Sequence, residues 1–430
     1  MIQRLRLLYV PLLGLTLFLT LSLTAAAQRV TLKFLWPEYT PAKVRFGEGL
    51  VEQFKEAYPD IDIEMMLTNN PSQSLTVLSA AGTPPDVGWM GAGWKGIKDL
   101  WLPLDAFIER DAAELNVDDF IAPVWESYRV DNKHYALPLG FTATVMYHNL
   151  DHAAAAGLSP PDQDWTWTDF VDRARKQTVQ RGNDVVQYGL NLYHGGDHMP
   201  LLYYDGAFWN ADATQSRFNT PARIFMIEER RNLEYVYNVQ ALPAWINANG
   251  GHQPSFLNGL VSMYAGGSWA LEPVRQAVTF SWDITPFPIA YIDGQAYRGT
   301  GIWPEEMYIS AQTDHPEEAW KFIKFATSER FLRWAAREGH IIPSRLSVGA
   351  SDDFLAANEH PQHIDAFIRS GEMGTVYMDH PLGNEIAARI NPILNQAMRD
   401  QQNPIPAQSA ALEIDRIIQA ILDEYNAQQR

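Results

Sequence analysis

Gly266-Gly267-Ser268-Trp269-Ala270 comes within one residue of the serine-hydrolase elbow GxSxG, missing it at the last position. No strand of the required type clearly precedes it, so the run reads instead as a binding loop whose small residues let a ligand approach the backbone. His194 and His198, with Asp197 between them, have the side chains to ligate a metal. Histidines in glycine-rich loops are usually polar surface, however, and the HExxH helix is absent, so no metal is expected. A glycoside hydrolase would need two carboxylates facing each other across a cleft. No segment singles out such a pair: Glu305 and Glu306 follow the Gly299-Thr300-Gly301 turn and read either as hydroxyl acceptors beside Trp303 or as a solvated loop. The chain has no cysteine, which excludes disulfides, thiolate zinc sites, a cysteine nucleophile and a lipid tether on an N-terminal cysteine. The expectation is a protein that binds without catalysis and without a cofactor.

Aromatic residues make up 12% of the chain, with 14 tryptophans and 18 tyrosines. A flat ring offers its face to the C–H face of a pyranose while neighbouring polar groups take the hydroxyls. Most such rings are core in any protein, and for any single tryptophan that is the default. Trp269, after its glycines, is the first candidate contact. Trp36 and Glu38 stand just past the first expected strand, and Trp89, Gly91 and Trp94 just past the third, where open α/β sheets bind ligands. Trp303 and Glu305 would add a platform and an acceptor.

The elements that must position these residues follow from periodicity. Val30 to Leu35 alternates as a strand, Val44, Leu50, Val51, Phe54 and Ala57 repeat at helical spacing, and Ile61 to Met65 alternates again, a βαβ unit. A short helix over 72–81 and a strand over 86–90 continue an α/β layer structure. Extended chain is expected over 138–149, a helix opening near Trp165 with Thr168 as cap, loops over 188–212, and helices over 221–239, 316–325 and 331–337. The last pair begins with Asp314 as a cap and Pro316 in the first turn. At the N-terminus, Arg4 and Arg6 precede an apolar run from Leu7 to Leu23 and then Ala25-Ala26-Ala27, the pattern of a signal peptide cut after Ala27. Pro11 and Gly14 interrupt that run, which falls short of the roughly 20 residues of a spanning helix. The product is therefore expected to be soluble, in the periplasm or outside the cell. The formal charge of −18 repels nucleic acid and anionic lipid.

Five segments carry a family likeness. Gly82-Thr83-Pro84-Pro85-Asp86-Val87 is similar to a GxxPDV turn and strand, and Trp165-Thr166-Trp167-Thr168-Asp169-Phe170 to a TWdEf stretch. Phe256-Leu257-Asn258-Gly259, Met263 and Gly267-Ser268-Trp269 resemble FxxGxxAMxxxGxW, with Leu260 in place of the usual basic residue and Ser262 in place of alanine. Pro316 to Ile323 resembles a PExAWxFxxF helix and Pro343-Ser344-Arg345 a PxR element. In this order they resemble the extracellular solute-binding proteins of importers driven by an ATP-binding cassette, the family of maltose-, trehalose- and glycerol-phosphate-binding proteins. The resemblance implies a two-lobed periplasmic-binding-protein fold of class α/β, with three hinge crossings near 139–147, 298–302 and 342–347 and a cleft between the lobes. Lobe one would comprise 28–140 plus 300–343 and lobe two 141–299 plus 344–430. It also implies hinge closure on a small solute, a membrane permease as partner, no nucleic acid, and a monomer. In the family the tryptophan at 269 stacks on sugar, and the crossings would bring Tyr147 and Arg345 to the ligand. Arg345 could instead pair with an acidic residue across the hinge. A di- or oligosaccharide is the expected solute. A polyamine would need several carboxylates, and a polyol phosphate an arginine cluster, for which only Arg298 and Arg345 are near enough.

Overall fold

In the computed structural model, which describes residues 29–428 other than 92, 193–198 and 357–359, the alternating run after Arg29 pairs as anticipated. The expected leader and the His194, Asp197, His198 trio lie outside the described residues. Strand β1 (Val30–Pro37) runs parallel to β2 (Ile61–Thr68) in unbroken register from Val30↔Ile61 to Pro37↔Thr68. The helix between them, Pro41–Ala57, starts where the Thr40 hydroxyl accepts the Lys43 N–H and Pro41 occupies the first turn. It buries Phe46, Leu50 and Phe54, while Ala57 ends up exposed. Further strands follow along the chain: β3 (Val87–Gly88), shorter than expected, then β4 (Ala136–Ala143), β5 (Val145–Asn149), β6 (Val179–Arg181), β7 (Asp184–Asn191), β8 (Val261–Gly266), β9 (Trp282–Thr285), β10 (Gly301–Ile309), β11 (Ile342–Pro343) and β12 (Thr375–Val376).

Two sheets result. The first is seven-stranded, in the order β11-β4-β10-β3-β1-β2 with β12 added alongside β10, and the second is five-stranded, in the order β9-β5-β8-β7-β6. Thr144 alone separates β4, in the first sheet, from β5, in the second. A second passage, through Arg298 to Thr300, leads from the ribbon of 290–292 and 295–297 into β10. The third does not fall at 342–347. β11 pairs with β4 and Ser344 Oγ donates to Pro138 O at 2.8 Å, so the chain still keeps to the first sheet there. It first meets the second lobe over 360–369, where Arg275 donates to His360 O, the His363 N–H donates to Asp283 and Arg369 pairs with Asp164, before β12 returns to β10. From Met378, whose N–H reaches the Tyr203 hydroxyl, it stays with the second lobe, and helix Gly383–Arg399 packs against helix Pro221–Tyr235. The passage therefore spans about 360–382.

Two expected caps also shift by a residue or more. Thr166, not Thr168, caps helix Trp167–Lys176, forming a reciprocal box with Asp169. Helix Pro316–Ala326 begins after His315 without a side-chain cap, and its apolar face buries Ala319, Phe322, Ile323 and Ala326 as the periodicity predicts. Helices Gly383–Arg399 and Ala407–Gln428 close the second lobe over 221–235, burying Ile386, Ile390, Leu394, Ile414 and Ile418. Among the described residues no helix is long and apolar enough to cross a membrane.

Candidate functional site

Trp269 sits in the turn that follows β8, and its ring lies back over Gly267: a Cβ there would stand 2.1 Å from the ring. That close approach is why the residue two before it has no side chain. The turn is pinned from two sides. The Tyr147 hydroxyl on β5 donates to Gly267 O at 2.8 Å, and the Ser268 N–H donates to Thr142 Oγ1 on β4 at 3.0 Å, with the two hydroxyl oxygens 2.8 Å apart. Ser268 is thus engaged with a threonine, and among the described residues no imidazole is hydrogen-bonded to it. Trp269 keeps 40% of its surface open. It meets Trp303 edge to face at 6.3 Å, and Trp303 stacks on Tyr377 at 5.7 Å and 26°. Register places Trp303 opposite Thr142 on the neighbouring strand.

Strand alternation puts Glu305 on the same side as Trp303. There it pairs with Lys43, whose ammonium lies 4.5 Å from the centre of the Trp89 ring and 5.1 Å from that of Trp36. Trp89 is nearly buried and meets Tyr39, an exposed ring, edge to face at 5.9 Å. Glu38 is exposed and accepts from the Asn69 amide at 3.0 Å. A bulge between Glu305 and Glu306 sends the second carboxylate into different surroundings. Glu306 is fully buried beneath a cavity walled by Gly91, Lys95, Trp303, Tyr377 and Asp379. Lys95 closes that cavity with a 2.6 Å ion pair to Asp379. Burial pushes the Asp379 carboxyl above its ordinary value, against the opposing charge of Lys95.

Four sequence-predicted contacts are buried and hold the surrounding structure, though Trp94 also lines the cavity above Glu306. Trp36 is fully buried, its indole N–H donating to Lys43 O at 2.7 Å, because Gly47 leaves space for the ring under the helix. Trp94 forms a pillar with Trp101 and Tyr308, at 4.7 and 4.5 Å and nearly parallel. Tyr147 is fully buried and serves the Trp269 turn. Arg345 is buried in lobe one, where it donates to Thr327 O at 2.7 Å, Leu115 O at 2.9 Å and Asp119 Oδ2 at 3.2 Å, leaving it no reach to the other candidates. The structure brings together Trp89, Trp269, Trp303 and Glu305, with Glu38 at the rim. It adds Tyr39, Lys43, Lys95, Thr142, Tyr377 and Asp379, none of which a motif marks, and Ser268, whose motif pointed to a binding loop. Among the described residues no cluster of histidine and carboxylate side chains could hold a metal ion.

Residues 42–330 match the family model described as bacterial extracellular solute-binding protein. A maltotriose-binding protein of Pyrococcus abyssi is 22% identical over 321 residues, 72% of this chain and 65% of its own length. Among solved structures, an ABC substrate-binding protein of Listeria monocytogenes in complex with cycloalternan superposes with a TM-score of 0.75 at 19% identity, over 92% of this chain and 99% of that one. The sugar-binding protein MalE of Xanthomonas citri gives a TM-score of 0.76 at 17% identity, over 92% and 98%. At such identities the structural likeness shows a shared two-lobed fold.

Proposed function

The chain belongs to the bacterial extracellular solute-binding protein family, and from that premise we propose that it captures a neutral di- or oligosaccharide between its lobes for delivery to the membrane permease of an ABC importer. The observation that carries this reading is a cleft with open aromatic faces and compensated charges. Trp269, Trp303 and Tyr377 offer rings, while each lysine on the walls is paired, Lys43 with Glu305 and Lys95 with Asp379. Such pairs present hydrogen-bonding atoms to hydroxyls without a net field for a charged ligand.

The same inventory weighs against the rival solutes. A phosphate would want free guanidinium groups, yet Arg298 is spent on Phe287 O, Gln163 O and Asp164, and Arg345 on lobe one. A polyamine would want several unpaired carboxylates, whereas Glu305 and Asp379 are paired with lysines and Glu306 is fully buried. The maltotriose-binding relative and the cycloalternan complex put glucose oligomers first in any trial. Lobe one comprises 29–143, 301–355 and the strand 375–376, lobe two 145–297 and 378–428, with 360–374 running between them, and contacts such as Ser268 to Thr142 and Trp269 to Trp303 join them across the cleft. Closure gains such contacts and covers the sugar, and the permease reads the closed shape. The protein works as a monomer after removal of residues 1–27, without catalysis.

The test is thermal unfolding of the secreted protein against glucose oligomers, other saccharides, polyol phosphates and polyamines. A saccharide present at a hundredfold excess over its Kd stabilises by about 2.7 kcal/mol. That shift disappears in Trp269→Ala, and chromatography recovers the sugar unchanged. Shifts with polyamines or polyol phosphates alone overturn the saccharide assignment, and a consumed sugar overturns the non-enzymatic reading.

A further inference from the structure

Glu306 is the floor of the cavity between Lys95 and Tyr377, and among the described residues lining that cavity it is the carboxylate without a lysine partner, since Lys95 is taken by Asp379 and Lys43 nearby by Glu305. Its Oε1 accepts the Met90 N–H at 3.0 Å and the Gly91 N–H at 2.6 Å, and its Oε2 faces the Tyr128 hydroxyl at 3.1 Å. Those two amides belong to the stretch after β3 that carries Trp89, Trp94 and Lys95. One carboxyl therefore ties that wall to the strand carrying Trp303 and Glu305. The stretch turns sharply where it is tied: Gly91 has φ +82°, and a Cβ there would stand 3.1 Å from the Trp89 ring.

We propose that Glu306 is a positioning residue, whose hold on the Met90 and Gly91 amides sets the place of Trp89 and Lys95 in the cleft and through them the affinity for the ligand. The proposal rests on the saccharide reading of the cleft. Burial raises the Glu306 carboxyl to about 8, against the opposite pull of the Gly91 and Met90 amides and the Tyr128 hydroxyl. The groups around it are Tyr128, Glu305 and Tyr308, Tyr39 after β1, the pairs of Lys43 and Lys95, and Asp379 and His380 on the far wall. At neutral pH it is an acid that completes the wall without charge. Above about 8 it becomes a buried anion beneath the cavity, and a ligand that fills the cavity moves the solvent above that charge farther away, so affinity falls as pH rises. If the ligand raises that ionisation by a further unit, Kd weakens about tenfold across the transition.

Incorporation of 5-fluorotryptophan into the whole protein supplies a readout that needs no ligand. The Trp89 fluorine resonance, assigned by Trp89→Phe, is expected to shift with a midpoint near pH 8, to stay fixed in Glu306→Gln, and to titrate at higher pH in Tyr128→Phe, which removes a donor to the carboxylate. Calorimetry with maltotriose as probe is expected to give a Kd about fivefold weaker at pH 9 than at pH 7 in the parent and equal values in Glu306→Gln. A Trp89 resonance that does not titrate, a titration that survives in Glu306→Gln, or a maltotriose Kd equal at both pH values in the parent overturns the proposal. Should Glu306→Gln fail to fold, an unmoved midpoint in Tyr128→Phe overturns it instead. If maltotriose and every other saccharide fail to bind while Trp89 titrates as described, the saccharide reading falls and the positioning role stands.

Discussion

Gly267→Ala isolates the Trp269 platform from the fold beneath it. Gly267 has φ −97° and ψ −168°, an extended conformation open to alanine, so the substitution carries no backbone penalty. Its new methyl group, however, would stand 2.1 to 2.6 Å from three atoms of the Trp269 ring, and the ring must swing away. The 40% of Trp269 left open corresponds to about 60–100 Å² on an aromatic side chain of about 150–250 Å². Covering that area with ligand contributes about 1.5–2.5 kcal/mol at about 25 cal/mol per Å². Calorimetric titration with the saccharide that binds best should therefore show Kd weakened about 10- to 70-fold. The unfolding free energy in denaturant should change by less than about 0.5 kcal/mol, as for a surface site. Parent-like affinity would refute the platform, and a loss of stability matching the loss of affinity would make the ring part of the core.

Two further outcomes follow from burial elsewhere. Arg345→Lys replaces a guanidinium that satisfies three buried acceptors with a single ammonium, so denaturant titration should show a loss of about 2–4 kcal/mol, with saccharide affinity within about twofold of the parent. An unchanged stability, or a selective loss of binding, would return Arg345 to the cleft. Burial depresses His148 to about 3 and His134 to about 4, so the folded protein refuses protons that the unfolded chain accepts below its ordinary 6.5. Stability is therefore full above pH 6.5 and falls toward pH 4 by about 1.4 kcal/mol per pH unit for each histidine. His148→Gln should lower that slope by one such increment between pH 6 and about 4; an unaltered slope would mean His148 is not held neutral.

Much of this architecture was legible in the residue pattern, because β1, its following helix and β2 announce themselves by period and by the Thr40-Pro41 start. Trp269 was legible for a related reason: a ring folded onto its own backbone needs a glycine beneath it, and that leaves a signature. Trp36 was not, since alternation along a strand covered on both faces does not say which face meets the cleft. Lys43 in the first turn of a helix looks like any solvated lysine, and only the fold brings Glu305, more than 250 residues away, against it. Tyr377 and Asp379 were hidden by the placement of the third passage. The chain reaches 342–347 and keeps to lobe one because β11 adds to β4 and Arg345 finds its acceptors there, interactions that no local propensity reports.

The order in which the first sheet acquires its strands has a consequence for the protein's birth. β10 lies between β3 and β4, yet it leaves the ribosome roughly 160 residues after β4 is complete. At about 5–20 residues per second, the two neighbouring edges wait on the order of 10–30 s for the strand that joins them. Through that interval lobe one has no finished core and its open edges invite the wrong partners. A nascent chain bound for export gains from the same delay, because a polypeptide that cannot yet fold can still be threaded.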